Sequence, residues 1–124
     1  MDQRVRAVIQ FMEDNLHREL TAIEIAERVH LSSPHLRRLF KAETGIPIAR
    51  YLRQLRLNRA KHFLETTFLS VKEVAARVGI DGISHFVRNF EKAYRTTPAR
   101  YAQLRRRQSA KTPSRAKMIK SANK

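Results

Sequence analysis

The sequence predicts an all-α fold of about seven helices, arranged as two small subdomains joined by a long linker helix. Three observations lead there. Apolar residues recur at three- and four-residue steps along most of the chain, and no segment alternates as a strand does. Side-chain caps and stop residues punctuate that pattern at intervals that suit short helices. A stretch beginning at residue 21 returns, in recognisable form, 49 residues later.

The elements follow in order. Val5, Val8, Ile9, Met12 and Leu16 place one apolar face on a helix over about 3–17. Thr21 and Glu24 have the spacing of a capping box, which opens a short helix burying Ile25, Ala26 and Val29. His30 and Leu31 turn the chain. Ser32 then caps a helix whose first turn holds Pro34, where a missing N–H costs little, and Gly45 supplies its left-handed stop. Pro47 begins a long helix to about Thr66. Its apolar residues (Ile48, Tyr51, Leu52, Leu55, Ala60, Phe63 and Leu64) cover more than one side, as a strut packed at both ends requires. Ser70 and Glu73 make a second capping box, opening a helix that buries Val74, Ala75 and Val78 and stops at Gly79. A helix from Ile83 to Tyr94 turns Phe86 and Phe90 inward, and Pro98 starts a last one with Tyr101 and Leu104. The expected division is 1–45, 46–66 for the linker helix, 67–106, and a basic disordered tail over 107–124 that lacks any apolar period.

The repeat has detail. Residues 21–30 (TAIEIAERVH) match 70–79 (SVKEVAARVG) at the cap, Glu24/Glu73, Ala26/Ala75, Arg28/Arg77 and Val29/Val78. After one inserted residue, His35/His85, Leu36/Phe86, Arg38/Arg88 and Phe40/Phe90 correspond, then 49–51 and 99–101, both Ala-Arg-Tyr. Each unit is a short helix, a tight turn and a second helix with a basic or polar outer face. That is the helix-turn-helix plan, whose second helix enters a DNA major groove. A helical solenoid needs more than two copies to be stable.

Charge agrees with a polyanionic partner. Of 124 residues, 26 are Lys or Arg and 11 are Asp or Glu, a net charge of +15. Residues 1–104 hold 18 basic and 11 acidic side chains, whereas 105–124 hold 8 basic and none acidic. With no cysteine there is no disulfide, thiolate zinc site or cysteine nucleophile. No run approaches a membrane span and no secretory h-region opens the chain, so a cytoplasmic protein is expected. The five histidines form no metal-ligand pair, and no phosphate-binding loop or serine-nucleophile motif occurs. Neither enzymatic activity, a metal nor a cofactor is expected.

Three segments carry a closer likeness: S-x-x-H-L-x-R-x-F-K-x-E-T-G at 32–45, R-L-x-x-A at Arg56 to Ala60, and E-V-A-A-R-V-G at 73–79 followed by His85, Phe86, Arg88, Phe90 and T-P-A-R-Y at 97–101. With them the chain, over about 5–104, resembles the DNA-binding domain of the AraC/XylS family of bacterial transcription regulators. The resemblance implies two helix-turn-helix subdomains on one face of double-stranded DNA. Recognition helices at about 33–43 and 83–94 would lie in adjacent major-groove segments. Its base-contacting positions fall on Pro34, Arg37 and Arg38, and on Ile83, Ser84, Val87 and Arg88. Arginine can fork onto guanine O6 and N7, whereas Ile83 and Val87 suit a thymine methyl. Thr21, Ser32, Lys41, Arg50, Ser70 and Arg100 are the expected phosphate anchors; for each cation the competing reading is a surface salt bridge. The family further implies activation through RNA polymerase and, in many members, an N-terminal sensor or dimerisation domain, so that a stand-alone member and an excised domain are both open readings. A non-specific basic nucleic-acid-binding protein is the alternative.

Three positions depart from the pattern. His30 stands where the second unit has Gly79, Arg95 stands where the repeat asks for glycine, and Gly82 stands where a side-chain cap belongs.

Overall fold

A computed structural model of the chain describes residues 1–111. Its helices are α1 (Gln3–Asp14), α2 (Ala22–Glu27), α3 (Ser33–Thr44), α4 (Ile48–Thr66), α5 (Val71–Arg77), α6 (Ile83–Tyr94) and α7 (Pro98–Lys111), and no strand occurs among the described residues. α1 stops short of the expected 17, because the Asn15 side chain donates to the Phe11 carbonyl at 2.8 Å. α7 runs to Lys111, past the expected boundary at 106, since Arg107, Gln108 and Ala110 are good helix formers. The remainder of the expected tail, 112–124, lies outside the described residues.

The caps act as their spacing implies, with one exception. Thr21, Ser32 and Ser70 hydroxyls accept from the amides of Glu24, His35 and Glu73 at 3.1, 3.3 and 3.1 Å. At Ser70 the box closes, Glu73 Oε1 accepting from the Ser70 amide at 2.9 Å. At Thr21 it stays open. Arg18 grips both Glu24 oxygens at 3.1 and 2.6 Å, and a forked guanidinium holds a carboxylate better than one exposed amide does. The three departures also resolve. His30 and Arg95 adopt φ of +59° and +61°, so both accept the left-handed turn their positions demand. Gly82 has φ +85°, a backbone state that excludes an ordinary capping residue, so its glycine answers the backbone rather than merely being tolerated.

Two separate apolar clusters form. Val5, Val8, Met12, Ile25, Ala26, Leu36, Phe40 and Ile48 fill the first, built from α1–α3 and the start of α4. Leu57, Ala60, Leu64, Val74, Ala75, Val78, Phe86, Phe90 and Ala102 fill the second, built from the rest of α4 with α5–α7. The repeat extends to ring geometry: Tyr51 packs on Phe40 at 5.1 Å, and Tyr101 on Phe90 at 5.9 Å. α4 thus serves both cores, one at each end, as its broad apolar surface implies.

Between the cores lies Arg56, 9% exposed. Its Nη1 donates to the Leu16 carbonyl at 2.7 Å and to the Val78 carbonyl at 2.7 Å, and its Nη2 to the Arg18 carbonyl at 3.0 Å. Gly79 makes room for it. A Cβ there would meet Arg56 Nη1 at 1.9 Å and the Leu16 oxygen at 2.3 Å, whereas Gly45 has open space beside it.

These geometries separate two glycines of similar φ. Gly45→Ala should cost about 1 kcal/mol, the left-handed penalty alone. Gly79→Ala should cost about 3 kcal/mol or more, because it also displaces a buried, hydrogen-bonded cation. Denaturant unfolding of both variants measures the difference; equal losses would contradict the packing described. Stability should also fall in acid. Arg18 beside Glu24, the Tyr101 hydroxyl on Glu65 and the Ser70 cap on Glu73 all hold these carboxyls below their ordinary range. A carboxyl lowered on folding contributes stability above its unfolded value and loses it as pH drops through the folded one. Melting temperatures should therefore decline below about pH 4.5.

Candidate nucleic-acid interface

Helices α3 and α6 each span 12 residues and are anchored by the same two core positions. Leu36 and Phe40 in one, Phe86 and Phe90 in the other, are fully buried. With those residues inward, the helical period turns the residues between them outward. Pro34, Arg37, Arg38 and Lys41 are exposed on α3, and Ile83, Ser84 and Arg88 on α6. Val87 differs: it is half-buried, so only part of it faces outward. His35 and His85, read as equivalent structural positions, are both exposed, because each lies about 100° around its helix from the neighbouring core residue.

Thr21, Ser32 and Ser70 are exposed at the starts of α2, α3 and α5. Each hydroxyl oxygen accepts a capping bond, which leaves its own proton able to be donated to an anion. Arg50 and Arg100 are exposed in the first turns of α4 and α7, at matched places in the two units. A cation there faces the positive end of the helix dipole, a position that favours it only when an anion joins the site.

The salt-bridge reading of the cations does not describe this surface. Arg37, Arg38, Lys41, Arg50, Arg88 and Arg100 make no side-chain hydrogen bond, ion pair or ring contact among the described residues. The ion pairs that do form there involve Arg4, Arg18 and Arg105. Six cations on matched elements thus remain available to an external polyanion.

Arg56 belongs to the R-L-x-x-A motif, yet no site expected from the sequence includes it. A signal was present. Arg56 continues the four-residue stripe Ile48, Leu52, Ala60, Leu64, all apolar, so it had to point toward the interior. Two tyrosines also gained partners that sequence did not name: the Tyr94 hydroxyl donates to Asn58 at 2.8 Å, and the Tyr101 hydroxyl to Glu65. Burial raises both phenols above their ordinary value. Among the described residues no cluster of His, Asp and Glu could hold a metal ion, and no helix is long and apolar enough to cross a membrane.

Comparison with known proteins bears on this surface. A family model described as a helix-turn-helix domain matches residues 25–107. The bifunctional transcriptional activator and DNA repair enzyme AdaA of Bacillus subtilis is 32% identical over 100 residues, covering 81% of this chain and 47% of that protein. The chain spans less than half the length of such curated relatives. Among solved structures, the C-terminal domain of the response regulator yesN from Fusobacterium nucleatum is 32% identical with a TM-score of 0.76, covering 82% of this chain and 99% of that one. The DNA-binding domain of AdpA, solved in complex with a target DNA, is 27% identical with a TM-score of 0.79, covering 88% and 96%.

Because these cations lack partners among the described residues, removing them should leave the fold intact. Arg37→Ala, Arg38→Ala and Arg88→Ala should each change unfolding free energy by less than about 0.5 kcal/mol. A loss several times larger in chemical denaturation would show that the side chain holds the fold.

Proposed function

The chain belongs to the AraC/XylS family of helix-turn-helix transcription regulators, and we propose that it binds double-stranded DNA sequence-specifically, with α3 and α6 in adjacent major-groove segments. One observation carries this reading: two repeat-related helices expose cations, matched between them at Arg38 and Arg88, that the rest of the described chain leaves unneutralised. Base reading then falls to Pro34, Arg37 and Arg38 on α3, and to Ile83, Ser84, Val87 and Arg88 on α6. Arg37, Arg38 and Arg88 fork onto guanine edges, while Ile83 and the outer part of Val87 meet thymine methyls. Thr21, Ser32, Lys41, Arg50, Ser70 and Arg100 anchor phosphates and set the register.

The same reading makes the chain a non-enzymatic regulator acting on cytoplasmic, nucleoid DNA. The relative AdaA, named as an activator, supports activation as its outcome. Activation would proceed through RNA polymerase at a promoter. An N-terminal sensor or dimerisation domain is the further partner the family suggests.

Selection of bound sequences from a random DNA pool, followed by titration of the selected site against random DNA at physiological salt, tests the proposal. The selected site should bind at least ~10³-fold more tightly. Equal affinities would return the chain to a non-specific basic binder. Arg38→Ala should relax base preference in one half of the site at a cost of about 1–3 kcal/mol, and an unchanged sequence preference would remove Arg38 from the reading set.

A further inference from the structure

Resting on the two-headed DNA reading above, we propose that Arg56 is a positioning residue for specificity: its guanidinium sets the spacing and rotation between α3 and α6, and so the half-site separation the protein accepts.

The two apolar clusters share α4 but otherwise remain separate. Helices α1–α3 do not pack extensively against α5–α7. Where the units approach each other, a cleft of about 560 Å³ opens, lined by His17, Arg53 and Arg56 on one side and Ile80, His85 and Asn89 on the other. A single helix with a cleft beside it leaves bending and twisting at its middle weakly opposed. Arg56 lies at that middle, with Ile48 of the first core eight residues before it and Leu64 of the second eight residues after. Its Nη1 is shared between the Leu16 carbonyl beyond α1 and the Val78 carbonyl beyond α5, so one nitrogen ties the two units together. Nη2 adds the Arg18 carbonyl. No carboxylate pairs with it among the described residues. A cation held only by carbonyls from both sides has fixed geometry and no flexible partner to follow it.

The consequence is geometric. One inserted base pair moves one half-site by about 3.4 Å along the duplex and rotates it by about 35°. A rigid joint cannot follow that displacement, whereas a loosened one can.

The test has two arms. In the first, the selected site is rebuilt with one base pair added or removed between its halves. Native protein should lose about tenfold or more in affinity, and Arg56→Met less than about threefold, with comparable affinity for the original site. In the second, Ala42 and Lys92, both exposed and on α3 and α6, are replaced by cysteine in this cysteine-free chain and spin-labelled. The distance distribution should be narrow in the native background and broad with Arg56→Met, without any DNA present. If Arg56→Met loses its helical signal, both arms are read on Arg56→Lys, whose single nitrogen cannot span three carbonyls. A native protein indifferent to spacing, with a narrow distance distribution that broadens in the variant, would overturn the two-headed reading but not the clamp. A variant as narrow and as spacing-selective as the native protein would overturn the role of Arg56.

Discussion

Arg56 is a charge taken out of water with no ion-pair partner among the described residues, and the arrangement of the two units depends on how that cost is met. Burial pushes its guanidinium below its ordinary value, and Glu19 nearby only partly offsets this. Each hydrogen bond from a charged donor contributes about 1.5–3 kcal/mol, and Arg56 makes three, to the Leu16, Val78 and Arg18 carbonyls. Desolvation of an ion costs several kcal/mol. The two sums are of similar size, so the group adds little net stability. What it adds is geometry, because the bonds form only when three backbone carbonyls from two units converge on one nitrogen pair.

That constraint explains an asymmetry in an otherwise faithful repeat. Leu36 and Phe86, Phe40 and Phe90, Tyr51 and Tyr101 occupy matched places with matched packing. His30 and Gly79 do not. Both need positive φ, and an exposed turn lets His30 supply it. At Gly79 the same φ comes with Arg56 and the Leu16 carbonyl pressed against the α-carbon, so only glycine fits. The end of α1 at Asp14 belongs to the same constraint, since it leaves the Leu16 carbonyl free of the helix and within reach of Arg56.

Much of the candidate interface was legible because surface helices are described by a local rule. A 3.6-residue period with Leu36 and Phe40 inward leaves few choices for Arg37, Arg38 and Lys41. The rule failed at Val87, which lies near enough to the core side to be half-covered, and periodicity does not resolve a boundary position. It also failed at Glu24. The spacing for a capping box is present, but Arg18, six residues earlier, takes the carboxylate.

By itself the sequence determined the helices, their caps, the repeat and the sign of the outer faces, since each rests on residues within a turn or two of one another. Tertiary structure alone decided how the halves meet. Arg56 contacts Leu16, 40 residues away, and Val78, 22 residues away, and no local pattern encodes such pairs. It likewise decided which cations are occupied: Arg18 and Arg105 find carboxylates, while Arg38 and Arg88 find none among the described residues. The physical reason is the same in both cases. A helix follows from short-range backbone hydrogen bonding, but where a long side chain ends depends on groups the folded chain brings beside it.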